Sequence, residues 1–422
     1  MSRRAVITGL GIIAPNGIGK DNYWNAIISG ESGIKEISSF DTSQYPTKIG
    51  GEVTDFNPSN YMEKRKASML SRFAQFALVA TNMAIEDSKL KIDNEDPYKM
   101  GIAIGSSLGG RNVDEEQFKT FFRSGYESMN PLATGMVSTN FAAGVIAAEY
   151  GIKGPNATLS TGCNSALNSI GYSFEIIKNN RADIIIAGGS ETPLSPGTFG
   201  GFCISGVLSK KNGRPEKVSR PFEKNRDGYV LAEGCGIIII EELEHALLRN
   251  ANIYAEIKGY GVTNDGFSII RMEPTGKEAA KAIQIAMETA NVKPEDIDYI
   301  NAHGSSSQVS DKRETNAIKL ALGEERAYEV PISSIKSMIG QPLAATGGMQ
   351  AVTTAMAIKN NQIPPTINYE EEDPVCDLDY TPNKTKTYNV NTALINSFGL
   401  GGNNASVVLG KYVPENAMCG AL

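Results

Sequence analysis

Cys163 lies in Ser160-Thr-Gly-Cys-Asn-Ser-Ala166, directly after the run Asn156-Ala-Thr-Leu. The spacing predicts a strand, a sharp turn at Gly162, and a helix that opens near Cys163. A thiol there faces unpaired backbone N–H groups and the positive end of the helix dipole, which lowers its pKa and favours thiolate. The same N–H groups can hold the oxyanion of a tetrahedral thioester intermediate. Small residues on the following turns (Ser165, Ala166, Ser169, Gly171) let such a helix pack closely. A single cysteine is more often a small core hydrophobe. That reading applies to Cys203, Cys235, Cys376 and Cys419, and for Cys163 both readings stand on these residues alone.

Only two histidines exist. His245, in Glu241-Glu-Leu-Glu-His-Ala, opens a charged helix and reads as a solvated surface residue. His303 follows Tyr299-Ile-Asn-Ala and precedes Gly304-Ser-Ser-Ser307, so it stands where a strand opens into a Gly/Ser loop. α/β sheets place working groups at such strand ends. Asp311-Lys-Arg-Glu314 then begins a helix whose acids suit its N-terminal dipole. Two histidines and no CxxC spacing exclude a zinc-type metal site.

Apolar, β-branched runs predict strands buried on both faces at Ala5–Thr8, Met100–Ile104, Asp183–Ala187 and Gly236–Ile240. The second half repeats the pattern at Tyr254–Tyr260, Tyr299–Ala302, Val330–Ile335, Thr392–Asn396 and Ala405–Leu409. Helical stretches at Ser71–Ser88, Asn164–Asn179, Gly276–Ala290 and Gly347–Asn360 alternate with them, which implies a layered α/β architecture. No low-complexity linker separates the halves. The expected division is 1–250 with the nucleophile, 251–412 with the histidine, and a loose tail at 413–422. A net charge of −7 argues against nucleic-acid binding. Unpaired cysteine spacing points to a reducing, cytoplasmic compartment, and no apolar run reaches membrane-spanning length.

Six segments in order carry a resemblance over nearly the whole chain: STGCNSA, SRPFEKNRDGYVLAEG, YINAHGSSS, SSIKSMIGQ, DPVCDLDY and NSFGLGGNNAS. The chain resembles the β-ketoacyl-acyl-carrier-protein synthases of the KAS I/II type, in particular the type II polyketide ketosynthases and their fatty-acid relatives. The resemblance implies a thiolase-like fold, with two similar halves in a five-layered α-β-α-β-α sandwich. It implies that Cys163 accepts an acyl chain from an acyl carrier protein, and that a malonyl thioester then loses carbon dioxide and attacks it. His303 takes the place of the first catalytic histidine. Lys336 and Glu314 stand as a site-ordering pair, and the N–H groups of Cys163 and Leu400 form the oxyanion hole. Ser305, Ser307, Phe398 and Gly399 line the substrate path. No cofactor of its own is implied, because the phosphopantetheine arrives on the carrier protein. A homodimer, or a heterodimer with a ketosynthase-like subunit, is the implied assembly, and Lys64, Arg65, Lys66, Arg72 and Lys210 are candidates for the carrier's basic landing patch.

The chain departs from the family at a telling position. The second catalytic histidine normally follows KSMxG; here Gln341 stands there, followed by Pro342. A glutamine amide donates a hydrogen bond but relays no proton. The KAS III branch carries an asparagine there, so an amide is compatible with condensation. The gating motif, usually GFGGTN, reads Gly399-Leu-Gly-Gly-Asn-Asn404, and a polar Thr/Ser stretch has become Ser268-Ile-Ile-Arg271. The leading expectation is decarboxylative condensation of acyl and malonyl groups. Behind it stand a malonyl decarboxylase or non-extending acyltransferase, motivated by Gln341, and a non-catalytic chain-length-factor-like subunit, which Cys163 with His303 argues against.

Overall fold

The computed structural model describes residues 3–414, so residues 415–422 of the expected tail, with Cys419, lie outside the described residues. Five strands of the first half are β1 (Ala5–Ala14), β2 (Met100–Gly105), β3 (Asn156–Leu159), β4 (Ile184–Glu191) and β5 (Gly234–Glu242). Those of the second are β6 (Ala255–Asn264), β7 (Tyr299–Asn301), β8 (Ile332–Ser333), β9 (Thr392–Gly399) and β10 (Asn403–Gly410). In space they run β1-β5-β4-β2-β3 and β6-β10-β9-β7-β8. Each half therefore places its strands first, fifth, fourth, second, third. The directions also repeat: two antiparallel pairings, then two parallel ones. Ala5–Ile7 of β1 pairs with Ala255–Ile257 of β6 and joins the halves edge to edge.

Helices α1 (Arg72–Ser88) and α2 (Phe141–Tyr150) cover the outer face of the first half; α4 (Lys277–Ala290) and α5 (Gln308–Leu322) cover that of the second. Between the half-sheets lie α3 (Ser165–Lys178) and α6 (Thr346–Asn360), each touching strands of both. The result is the five-layered α-β-α-β-α sandwich. It explains why β1, β4, β5 and β9 are buried along their whole length and read as unbroken apolar runs.

Close approach of layers is written into one repeated spacing. A Cβ on Gly9 or Gly11 of β1 would meet the carbonyl oxygens of Ala84 and Ala80 in α1 at 2.1 and 1.8 Å. On Gly259 and Gly261 of β6 it would meet those of Ala286 and Ala282 in α4 at 2.1 and 2.0 Å. The same Gly-x-Gly seats the same helix in each half. The expected strands are present; β7 and β8 are shorter, and β9 runs on to Gly399.

Two surface readings are corrected. Arg72 is no landing-patch residue: its Nε and Nη2 hold Glu233 at 2.9 and 2.7 Å, and its guanidinium lies 4.7 Å over the Phe76 ring. Lys66 is tied to Glu149, leaving Lys64, Arg65 and Lys210 exposed. His245 is not a free surface residue either. Its Nδ1 meets Glu241 at 2.8 Å and its Nε2 meets Glu95 at 3.0 Å, because Glu241, fully buried at the end of β5, needs cationic partners.

Glu241 and Glu95 pull the His245 pKa up to about 9. A raised folded-state value means a contribution that is full below the unfolded pKa of about 6.5 and lost as pH rises through 9. His245→Gln is expected to lower the unfolding free energy at pH 6, and the gap to wild type is expected to close by pH 10 in denaturant titrations.

Candidate active site

β3 ends at Leu159, Gly162 turns with φ +80°, and a single 3-10 turn, Gly162–Asn164, carries Cys163 into α3. Ser165 braces the elbow: its Oγ accepts Thr161 N–H at 2.9 Å and donates to Gly162 O at 2.6 Å. Ser107 Oγ also donates to Gly162 O, at 3.0 Å. The expectation of a thiol acidified by the helix needs correction. Burial pushes the Cys163 thiol above its ordinary value, while the Lys336 charge, the Gln341 amide and the Leu400 N–H pull the other way. Cys163 rests as a thiol, and those neighbours are what its thiolate would lean on.

The turn from β9 to β10 closes over the nucleophile. A Cβ on Gly399 would lie 2.7 Å from Thr161 O and 3.3 Å from Cys163 N, and one on Gly162 would lie 3.4 Å from Leu400 N. The N–H groups of Cys163 and Leu400 are thereby brought side by side, as an oxyanion hole requires. Leu400 itself is half-exposed, at the tip of a turn that Gly401 and Gly402 make with φ near +87° and +81°. Its stem is anchored by buried polar contacts: Arg313 Nη2 meets Asp265 at 2.6 Å and Asn404 Oδ1 at 2.9 Å.

His303, at the end of β7, is held at every polar atom of its backbone. Its N–H donates to Glu314 Oε1 at 2.8 Å, and its carbonyl accepts from Lys336 Nζ. Phe398 N–H donates to the ring Nδ1 at 3.3 Å, so the neutral imidazole carries its proton on Nε2. Burial first, then the Lys336 and Arg313 charges, hold its pKa well below the usual value. The site thus presents a neutral N–H donor, not an imidazolium.

Lys336 and Glu314, expected as a site-ordering pair, are not joined by a direct ion pair among the described residues. They clamp one residue from two sides, the ammonium on the His303 carbonyl and the carboxylate on the amides of His303 and Gly304. Burial lowers Lys336 to about 8 and raises Glu314 to about 7. Behind them Asp311 takes Ser305 N–H at 3.0 Å and Phe222 N–H at 2.8 Å, facing Arg226 at 3.5 Å.

Gln341 is buried, and its peptide is fixed by Val230 O and Ala232 N at 2.7 and 3.0 Å. Its Oε1 accepts the Thr346 hydroxyl at 3.3 Å, which turns the amide NH₂ toward the Cys163 sulfur. Of the expected path residues, Gly399 packs against Thr161 O and Cys163 N, and Ser305 is buried with its N–H on Asp311. Ser307 instead caps α5, its hydroxyl accepting Ser310 N–H. The Phe398 ring is buried under the Arg313 guanidinium, 5.3 Å away, so its contribution runs through its N–H.

Several contributors left no usable signal in the sequence. Glu191, at the end of β4, accepts Ser107 and Leu108 N–H at 2.8 and 3.2 Å and so shapes the loop that braces Gly162. Gln350 of α6 ties the ends of β7 and β9 by donating to Ala302 O at 2.9 Å and Asn396 O at 3.1 Å. A polar residue next to paired glycines in an otherwise apolar helix was the only hint. Among the described residues no His/Cys/Asp/Glu group is arranged to hold a metal.

Residues 2–246 match the family model described as Beta-ketoacyl synthase, N-terminal domain, and 254–370 match the C-terminal domain. The 3-oxoacyl-[acyl-carrier-protein] synthase 2 of Synechocystis sp. is 42% identical over 410 residues, 97% of this chain and 98% of that one. The protein of the same name from Coxiella burnetii is 41% identical over 409 residues, covering 97% and 99%. Among solved structures, AntDE:AntF, a type II PKS acyl-carrier protein in complex with its ketosynthase bound to the hexaketide, superposes with a TM-score of 0.91 at 35% identity, covering 98% of this chain and all of that one.

Because its thiol is pushed upward, Cys163 is expected to alkylate with iodoacetamide slowly at pH 7.5 and faster at pH 9.5. Gln341→Leu removes a donor to the sulfur and is expected to slow the pH 7.5 reaction several-fold further. Peptide mass mapping, which separates Cys163 from the half-buried Cys203, reads both rates.

Proposed function

The chain belongs to the β-ketoacyl synthase family, and from that premise we propose that it is a decarboxylative condensing enzyme acting on carrier-bound acyl and malonyl groups in fatty-acid or polyketide synthesis. The observation that carries the reading is the joint placement of Cys163 and the neutral His303. Residues 397–400 connect them: Ser397 Oγ reaches Cys163 O at 3.5 Å, Phe398 N–H holds His303, and Leu400 N–H faces the sulfur.

In this mechanism the Cys163 sulfur gives up its proton as it attacks the acyl thioester, and that proton leaves on the departing pantetheine thiol. The tetrahedral oxyanion sits on the N–H groups of Cys163 and Leu400, and the carrier's pantetheine sulfur leaves. A malonyl thioester then takes the carrier's place. Its carboxylate carbon–α-carbon bond breaks, carbon dioxide leaves, and the electron pair passes into an enolate whose oxygen accepts the His303 Nε2–H. The α-carbon attacks the acyl carbonyl in the same oxyanion hole and expels the Cys163 thiolate. Lys336 and Glu314 are positioning residues that hold the His303 peptide, while Gln341 donates to the sulfur.

The partner in this reading is an acyl carrier protein, which supplies the phosphopantetheine arm, with Lys64, Arg65 and Lys210 as its exposed cationic contacts and Leu400 as the gate its arm passes. A homodimer, or a heterodimer with a ketosynthase-like subunit, is supported by β3, an edge strand of exposed and half-buried residues whose outer ladder is unpaired. Among the described residues no helix is long and apolar enough to cross a membrane, and we place the enzyme in the cytoplasm.

Incubation with acyl-ACP and malonyl-ACP, followed by intact mass, is expected to give acyl-Cys163 and then β-ketoacyl-ACP. Acetyl-ACP as sole product, or acyl-Cys163 that never turns over, would overturn condensation; Cys163→Ala is expected to abolish acylation. Gln341→Ala is expected to slow turnover by about 10²-fold, the scale of one lost donor. Since His303 is neutral far below its usual pKa, malonyl-ACP decarboxylation is expected to show no acid limb between pH 6 and 7 belonging to that ring.

A further inference from the structure

Asn164 follows the nucleophile directly and is wholly buried, yet neither Oδ1 nor Nδ2 of its amide has a hydrogen-bond partner among the described residues. An amide cut off from water in this way loses its solvation and regains nothing, so it destabilises the state that buries it. Structural duty does not explain it. Asn164 stands at the N-cap of α3, where an asparagine ordinarily accepts an N–H of the first turn, but its side chain makes no such bond. Ser165 braces the elbow instead. Lying against the amide is the end of β9: a Cβ on Gly399 would stand 2.9 Å from Asn164 Oδ1 and 2.7 Å from Thr161 O, so only a glycine fits there. The turn beyond Gly399 is held unevenly. Toward the end of β6, Asp265 N–H meets Gly402 O at 2.8 Å and Asn264 Nδ2 meets Gly401 O at 3.0 Å. Toward the nucleophile the ties are weaker, Leu400 N–H on the Cys163 sulfur and Ser397 Oγ on Cys163 O at 3.5 Å. Leu400 is half-exposed, and a Cβ on Gly401 would meet nothing closer than Asn403 Nδ2 at 3.7 Å, so the tip has room to move.

We propose that Asn164 is a positioning residue of the oxyanion turn: its unpartnered amide disfavours the closed turn and biases residues 399–402 toward a lifted arrangement in which water reaches the amide. The lift uncovers Cys163 for an acyl chain, and the return brings Leu400 N–H back to where the oxyanion forms. That use rests on the condensing reading above, whereas the bias is a property of the free protein. Ordinary packing and an orphaned amide act with opposite signs. A side chain that packs well stabilises the closed fold, and its loss loosens the structure around it. An amide with neither end paired strains the closed fold, and its replacement by hydrocarbon of similar shape tightens it.

Asn164→Leu keeps nearly the same shape without the amide. In that variant, deuterium exchange at the amides of residues 400–402, read by peptide mass, is expected to slow about tenfold, and the melting temperature to rise. Acylation of Cys163 by acyl-ACP, followed by intact mass, is expected to slow by a similar factor. A merely structural role would speed exchange and lower the melting temperature. Where the leucine does not fit beside Gly399 and the protein fails to fold, Asn164→Ala is read by exchange and acylation alone, with the same slowing expected. Exchange that is unchanged or faster, or acylation that is not slowed, overturns the proposal and leaves the condensing reading intact. Failure of both variants to fold overturns it as well, by showing Asn164 to be structural. A wild-type protein that never forms acyl-Cys163 overturns the condensing reading instead, and the exchange result still decides the bias.

Discussion

Lys336 and Glu314 are opposite charges buried almost completely, and they meet only through the peptide of His303. Neither can be removed cheaply, since each would leave the other as an uncompensated charge in a medium that solvates it poorly. Their value lies in what the clamp does to the residue between them. The carbonyl end is held by an ammonium and the amide end by a carboxylate, so the strand end cannot drift. Burial first, and the nearby ammonium second, hold the imidazole neutral by pushing its pKa well below the usual value. A histidine with free access to water would change charge near neutral pH; this one is confined to a single neutral tautomer by Lys336 on one side and Phe398 N–H on the other.

The doubled architecture explains how parts from distant segments reach one place. Cys163 enters α3 from β3 in the first half, whereas His303 and the Gly399–Leu400 turn leave β7 and β9 in the second. The two halves share one strand order, and α3 and α6 lie between them, so the open end of each half-sheet faces the common helical layer. The site at that junction draws its nucleophile from one repeat and its donors from the other. The repeated Gly-x-Gly on β1 and β6 sets how near the outer helices come, and hence how thin each half can be.

Much of this was legible in the chain itself. Unbroken apolar runs marked the strands, because strands covered on both faces need no polar alternation. Cys163 and His303 stood out because a reactive type beside a glycine at an element boundary is a local signal, whereas Leu400 was marked only by the family resemblance. Contacts set by tertiary burial were not legible. His245 read as surface because Glu241, 4 residues earlier, looked like one more helix acid rather than a buried strand end. Arg72 read as a free cation because Glu233 is 161 residues away. The rise of the Cys163 pKa follows from tertiary burial, which no local pattern in the chain announces.

The same distinction between donating and relaying settles how Gln341 should be weighed. An amide cannot carry a proton, and where a mechanism required one to be passed at that position it would be disqualified. Decarboxylation followed by carbon attack requires none: a carboxylate charge enters, an enolate forms, and a thiolate charge remains on Cys163. What the position must provide is a fixed dipole where negative charge arrives. Thr346 holds the side-chain amide, and the Val230 and Ala232 peptides hold the main chain that carries it. Its NH₂ is turned toward the sulfur, where the charge ends. The substitution thus moves a donor from the middle of the reaction to its last step, and the middle is left to the neutral His303.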